Sequence, residues 1–276
     1  MAELVLLLVG DTTRPEFRQA EAPLKTFGRV ARAPDVGAAV ALLEEQQLSP
    51  DVIVVAQAFA GQFASEAIDR LRWLAPLARV VALLGTWCEG EMRSGRPWPA
   101  AVRVYWHQWS ARCARELGRL AAGQICPWGL PATASEEERC LSNADEPEPP
   151  RTGRIAVHTP WFDMQDWLGR ACRRRGYATL WFRPDAPIEV SGVRAAIFDA
   201  LALETGELRR LAHLAVAIQP APVIALMDFP RADDVDRALD AGAAAVLSKP
   251  LWLDDLFWEL DRLGQVASSE ARNPPP

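Results

Sequence analysis

Asp199 and Lys249 are the residues whose types and positions in this sequence most readily do chemistry. Asp199 closes the apolar run Val193-Arg-Ala-Ala-Ile-Phe198, and Lys249 follows the run Ala243 to Leu247 through Ser248. Such short, largely apolar runs read as strands buried on both faces, and a polar residue at the end of one stands at the mouth of the sheet. A carboxylate and an ammonium brought to neighbouring strand ends form an ion pair across the sheet top. His158 ends a further run, Arg154-Ile-Ala-Val157, and Asp228 follows Val223 to Met227. An imidazole pointing toward such a pair can titrate near neutrality, although a plain hydrogen-bonding role is the more economical reading.

The elements that must carry these residues are legible around them. From Pro222 to Leu260 the chain reads as strand, helix, strand and helix. The run Val223-Ile-Ala-Leu226 precedes an acidic-started helical pattern, Ala232 to Ala241, which Gly242 stops before the second apolar run and the Ser248-Lys249-Pro250 turn. That is the closing half of an open parallel sheet. Its order, the Asp-Ala-Gly-Ala at 240 to 243 and the Lys-Pro after the last strand resemble the CheY-like receiver domain of two-component response regulators. The resemblance implies an α/β fold, a flavodoxin-like doubly wound parallel sheet of five strands.

It also implies a pocket of five positions: two acids after the first strand, a phospho-accepting Asp after the third, a Ser or Thr after the fourth and a Lys after the fifth. On that plan Asp199 is the phospho-acceptor candidate and Lys249 the lysine. The acidic pair is replaced by His158-Thr159, and the Ser/Thr by Met227 with Asp228 beside it. Phosphoryl transfer to a carboxylate relies on a divalent cation, and Mg²⁺ takes hard oxygen ligands that an imidazole does not supply. No catalytic residue, metal site or cofactor is therefore expected, Mg²⁺ entering only if Asp199 is active.

The N-terminal half repeats the plan. Leu4 to Val9 reads as a strand, Asp11 to Thr26 as a helical region, Arg29 to Ala33 as a strand, Val36 to Gln47 as a helix and Pro50 to Val55 as the third strand. The acceptor position is then Ala56. Leu84 takes the Ser/Thr position and His107 the lysine position, which leaves Asp11 as the one remaining pocket acid. A chain with Ala at the acceptor cannot be phosphorylated there, so the first domain reads as a pseudo-receiver.

The 276 residues, half of them hydrophobic, suffice for two such cores. The organisation expected is a pseudo-receiver at 1–123, a Pro-rich acidic linker at 124–152 with one helical turn near Ser135 to Arg139, a degenerate receiver-like domain at 153–266 and a disordered tail at 267–276. A net charge of −6 argues against a general nucleic-acid binder. The sequence has no long apolar span and no basic leader, so a cytoplasmic protein without membrane contact is expected. Cys88, Cys113, Cys126, Cys140 and Cys172 are scattered and read as free thiols. No nucleotide-binding or hydrolase motif occurs, and His213 has no partner that would make it a base.

Two departures from the receiver plan fall where receivers make contacts. Gly176 precedes Asp199 by 23 residues, whereas Gly28 precedes Ala56 by 28, and Pro184 and Pro187 break the interval, so no second helix fits at 183–192. The segment Gly85 to Ala101, interrupted by Gly90, Gly95, Pro97 and Pro99, cannot be a regular fourth helix. Trp87, Trp98, Trp106 and Trp109 surround it with Arg93 and Arg96. Trp with Arg is the composition of interface anchors, and the alternative is that the rings cover the core in place of the helix.

The reading is a non-catalytic, phosphorylation-independent signalling module that acts by protein contact. The partners implied are a histidine kinase, a transcription regulator or a second copy of the chain. The alternative is an active response regulator phosphorylated at Asp199, and a remote one is anion or nucleic-acid binding through the Trp/Arg loop at 85–109.

Overall fold

A computed structural model describes residues 3–45, 47–99, 101–131, 133–142, 150–184, 192–201 and 203–270. The chain divides into two compact units, Met1–Glu146 and Pro147–Pro276. In the first, β1 (Leu4–Val9), α1 (Glu21–Lys25), β2 (Gly28–Ala33), α2 (Val36–Glu44), β3 (Val52–Phe59), α3 (Ser65–Leu74), β4 (Arg79–Trp87), α4 (Glu91–Ser94), β5 (Val102–Tyr105), α5 (Trp109–Ala121) and α6 (Glu136–Leu141) follow one another. In the second the order is β6 (Arg154–His158), α7 (Phe162–Arg174), β7 (Ala178–Phe182), β8 (Ala195–Asp199), α8 (Thr205–Ala217), β9 (Val223–Asp228), α9 (Ala232–Asp240), β10 (Ala245–Lys249) and α10 (Leu253–Glu270).

The two five-stranded sheets run β2-β1-β3-β4-β5 and β10-β9-β8-β6-β7, with every pairing parallel. Read from the opposite edge, the second order repeats the first. This is the flavodoxin-like, doubly wound arrangement. Its central strands are largely apolar because both faces are covered. In β1, Leu6 and Leu8 pack with Phe17, Leu24, Trp109 and Leu117, while Leu7 and Val9 pack with Ala39, Leu43, Ile68 and Leu71 on the other face.

Several elements differ from the sequence expectation. The helix expected between Asp11 and Thr26 is a 3-10 turn at Pro15–Phe17 followed by the short α1. Pro15 and Pro23 supply no N–H, so one continuous ladder cannot close across them. The segment expected as a linker begins as part of the first unit: Cys126 and Trp128 are buried in the core that holds Trp109 and Leu117. Pro127 opens a 3-10 turn that aims Trp128 inward, and a Ser135/Glu138 capping box starts α6. Residues 143–149 of that expected linker, and 185–191 of the expected helix gap, lie outside the described residues. The expected tail is helical through Glu270, where α10 ends, and 271–276 lie outside the described residues.

Candidate functional site

Three strand ends of the second unit converge on Asp199. β6 runs beside β8 with His158 opposite Phe198, so the next residue, Thr159, comes level with Asp199. β10 runs beside β9 with Lys249 opposite Asp228. The Asp199 side chain is 0% exposed, and the Lys249 Nζ stands 2.7 Å from its Oδ1. The Thr159 hydroxyl donates to the other oxygen, Oδ2, at 2.7 Å. Lys249 also donates to the Ala200 carbonyl at 3.2 Å and lies 3.3 Å from Oδ1 of the exposed Asp228. One ammonium thus bridges a buried and an exposed carboxylate.

The loop around this cluster is pinned as well. Thr159 accepts from the Trp161 N–H at 3.2 Å, and its carbonyl accepts from the Trp181 indole at 3.0 Å. Glu207, in the first turn of α8, accepts the N–H groups of Leu201 and Leu203 at 3.0 and 2.7 Å. Leu203 sits at φ 47, a conformation that these hydrogen bonds hold in place.

His158 does not join the cluster. Its ring stacks on Phe198 with centroids 4.7 Å apart, and its Nδ1 has no hydrogen-bond partner. Strand alternation explains this, because residues paired across neighbouring strands share one sheet face and the following pair shares the other. Burial pushes the His158 pKa down, with Arg210 adding to the effect and Asp199 and Glu207 opposing it. The expected His-Asp-Lys group is therefore a Thr-Asp-Lys-Asp group. Sequence reasoning noted Thr159 only as a lost acid, although a hydroxyl level with a buried carboxylate is a ready donor to it.

The residues present do not fit Mg²⁺. Both oxygens of Asp199 are engaged, the exposed Asp228 faces an ammonium, and neither Thr159 nor His158 supplies a further carboxylate. Among the described residues no group of three His, Cys, Asp or Glu side chains is placed to hold a metal ion.

The matching edge of the first unit is closed. Val9 pairs with Val55, so Gly10 falls beside Ala56, the place that Thr159 holds beside Asp199. Gly10 has φ 107, and a Cβ there would stand 2.8 Å from the Ala56 carbonyl oxygen. No side chain fits in that place without displacing the backbone. Asp11, expected to remain in the pocket, lies one residue further on and is exposed. Its Oδ1 accepts from the N–H and hydroxyl of Thr13 at 2.9 and 2.6 Å, and these bonds hold its carboxyl below the usual range.

His107 also misses its expected place. In the second unit the lysine pairs with the residue after Met227, and since Leu84 pairs with Tyr105 the equivalent step in the first unit is Trp106. Instead of a charged pocket, this edge holds a buried polar lock. Glu91 of α4 accepts from Gln57 at 3.0 Å and pairs with Arg103, while the Cys88 thiol donates to the Gln57 carbonyl at 3.3 Å.

His107 sits in the 3-10 turn Trp106–Gln108 and stacks on Tyr105 with centroids 5.7 Å apart. Burial, helped by Arg112, pushes its pKa down to about 4 even though Glu89 lies 3.4 Å away. Desolvation outweighs that carboxylate, so the ring is neutral at pH 7. An unfolded-state histidine takes its proton near 6.5, so between 6.5 and 4 the unfolded state binds more protons and stability falls as pH falls. The expected slope is at most about 1.4 kcal/mol per pH unit. Burial raises Glu89, which opposes the trend near its own range, so the difference between wild type and His107→Gln isolates the imidazole. Urea unfolding of both proteins across pH 4 to 7 should show the shallower profile in the variant.

No family model and no curated protein matches the sequence. Solved structures that the chain resembles include NtrX from Brucella abortus, at 18% identity and TM-score 0.39 over 44% of this chain and 28% of that one. A probable two-component system response regulator/GGDEF domain protein matches at 14% identity and TM-score 0.36, over 96% of this chain and all of its own. The E. coli RcsC C-terminus, containing a linker region and phosphoreceiver domain, matches at 15% identity and TM-score 0.36 over 99% and 96%. Both units have the flavodoxin-like, doubly wound fold that receiver domains share. The order and parallel pairing of their strands carry that statement.

The expected Trp/Arg docking surface divides. Trp98 is 4% exposed, donates to the Phe63 carbonyl at 3.1 Å and covers the core beside the four-residue α4. Trp109 is 2% exposed and donates to the Ala20 carbonyl at 2.8 Å, and Trp106 packs against the same core. These three are packing residues: Trp98 covers the sheet face that so short an α4 leaves open, and Trp106 and Trp109 fill the core on the opposite face. Trp87, Arg93 and Arg96 are exposed. Two of the four rings are thus buried and Arg103 is paired to Glu91, which leaves Trp87, Arg93 and Arg96 as the part of the expected surface open to solvent. Cys88, Cys113, Cys126 and Cys172 are buried and unbridged, and burial raises the Cys88 thiol to about 12 and Cys126 to about 11. Among the described residues no helix is long and apolar enough to cross a membrane.

Proposed function

We propose that the chain is a non-catalytic pair of receiver-like units that works in two-component-type signalling through protein contact, without phosphorylation. The observation that carries this reading is the state of Asp199. An acceptor carboxylate needs an oxygen free to meet the phosphorus in line and a cation to neutralise the transferring group. The Asp199 side chain has no exposed surface, and Lys249 and Thr159 engage its two oxygens. In the first unit the acceptor is an alanine.

Output through contact is supported at the same sheet edge of the second unit. Trp161, Phe162 and Phe229 are exposed there, and Phe162 meets the partly exposed Trp181 edge-on at 6.0 Å. Aromatic side chains left in water beside a polar cluster have the composition of a protein-contact surface. The partners this reading favours are a kinase or transcription regulator of the same signalling class, or a second copy of the chain.

The test is incubation with Mg²⁺ and acetyl phosphate followed by intact mass measurement of wild type and Asp199→Ala. The expected result is no mass gain in either protein. A phosphate adduct on wild type that the variant lacks would instead establish an active response regulator with Asp199 as acceptor.

A further inference from the structure

We propose that the first unit carries an oxyanion site at the amino-terminal edge of its sheet, the edge opposite Gly10 and Ala56, built by Arg72, Arg79 and Arg139. A cavity of about 290 Å³ lies where α3 ends and β4 and β5 begin, lined by these three arginines with Val80, Val102 and Pro131 among others. It falls just below the usual volume range of drug-sized ligand sites, which suits a small ion.

The three guanidiniums are held from behind by protein oxygens. Arg79 donates to the carbonyls of Leu77 and Gly129 at 3.2 and 2.9 Å. Arg139 donates to those of Pro127 and Pro131 at 2.7 and 3.1 Å. Arg72 pairs with Asp69 at 2.8 Å and also donates to the Pro99 carbonyl. Asp69 is the sole carboxylate paired with any of the three among the described residues, and its side chain is 58% exposed. Arg139 is only 7% exposed, yet its hydrogen-bond acceptors are neutral carbonyls. Buried charges are ordinarily paired with an opposite charge, so this cleft is short of negative charge.

A second observation points the same way. The Nε–H groups of Arg72 and Arg79 are buried with no acceptor. A guanidinium presents its N–H groups as a rigid fork that suits carboxylate and phosphate oxygens. Water satisfies a donor but leaves the charge uncompensated. An oxyanion of the phosphate class does both, either as the free ion or as a phosphomonoester group. Because Arg139 belongs to α6 and Arg79 holds the Gly129 carbonyl, an anion here also ties the turn Pro127–Gly129 and α6 to the sheet.

The experiment is titration calorimetry of the full chain with inorganic phosphate and, separately, with glycerol 3-phosphate, at constant ionic strength set by chloride. Saturable binding of one ion per chain is expected, with the tighter probe identifying free phosphate or a phosphomonoester as the source. Arg79→Met and Arg139→Met should each weaken binding by about ten-fold or more, the scale of a lost charge-assisted hydrogen bond. Arg72→Met should weaken it less, since Asp69 already balances that charge. Should Arg139→Met undock α6, seen as a change in near-ultraviolet circular dichroism, Arg79→Lys serves in its place, keeping the charge and losing the fork. Absence of saturable heat with both probes, or equal affinity in wild type and Arg79→Met, would overturn the assignment.

Discussion

Replacing Lys249 with Met should destabilise the second unit by about 3 kcal/mol, near the low end for removing one partner of a buried ion pair. The cost arises at Asp199, whose fully buried carboxylate loses an ammonium 2.7 Å away and keeps only the Thr159 hydroxyl. Asp228 suffers little, because it is exposed and water takes over. Adding Asp199→Asn to Lys249→Met should therefore recover most of the loss, since a neutral amide no longer needs the ammonium. Hydrogen exchange of peptides spanning β8 and β10 reads the second unit separately from the first, which a single global transition does not. Additive losses in the two single variants and the double variant would sink the idea of a coupled buried pair.

The same pair shows what sequence makes legible. Asp199 and Lys249 end apolar runs, and parallel strands in a doubly wound sheet bring such ends together at one edge. The succession of strands and helices along the chain follows from run length and glycine stops, whereas the order of strands within the sheet is what the receiver resemblance implies. What was not legible depends on tertiary register. His107 and the true lysine step, Trp106, differ by one residue, and a one-residue step moves a side chain to the other face. His158 shows the same effect: it ends its strand as expected, but alternation places it on Phe198 and gives Thr159 the contact with Asp199.

Composition was a poorer guide still. Tryptophans clustered near arginines signal an interface or a core cover, and only burial separates the two. Trp98 and Trp109 are inside, whereas Trp161 and Phe162, which no local composition singled out, are exposed beside the polar cluster. Thr159 stands where the receiver plan has an acid, and the sequence alone shows only that replacement. Its capacity to donate to Asp199 could be weighed only once strand register was known.

Trp128→Ala is expected to cost the first unit about 3–5 kcal/mol, the range for truncating a buried aromatic to Ala. Trp128 is 1% exposed and stacks on Trp109 with ring centroids 5.8 Å apart, in the core that includes Leu6, Leu24 and Leu117. Its prolines and acids give residues 124–152 the composition of a tether, and a tether residue would tolerate the change. Leu141→Ala is the control: it lies in the same segment but is exposed, so its effect should stay within about 0.5 kcal/mol. Hydrogen exchange of peptides covering β1 and α5 should report the loss in Trp128→Ala and not in Leu141→Ala. If both variants leave that exchange unchanged, the segment is a tether resting on the unit. If Trp128→Ala alone opens it, Pro127 and Arg139 position a core side chain, and the first unit extends well past α5.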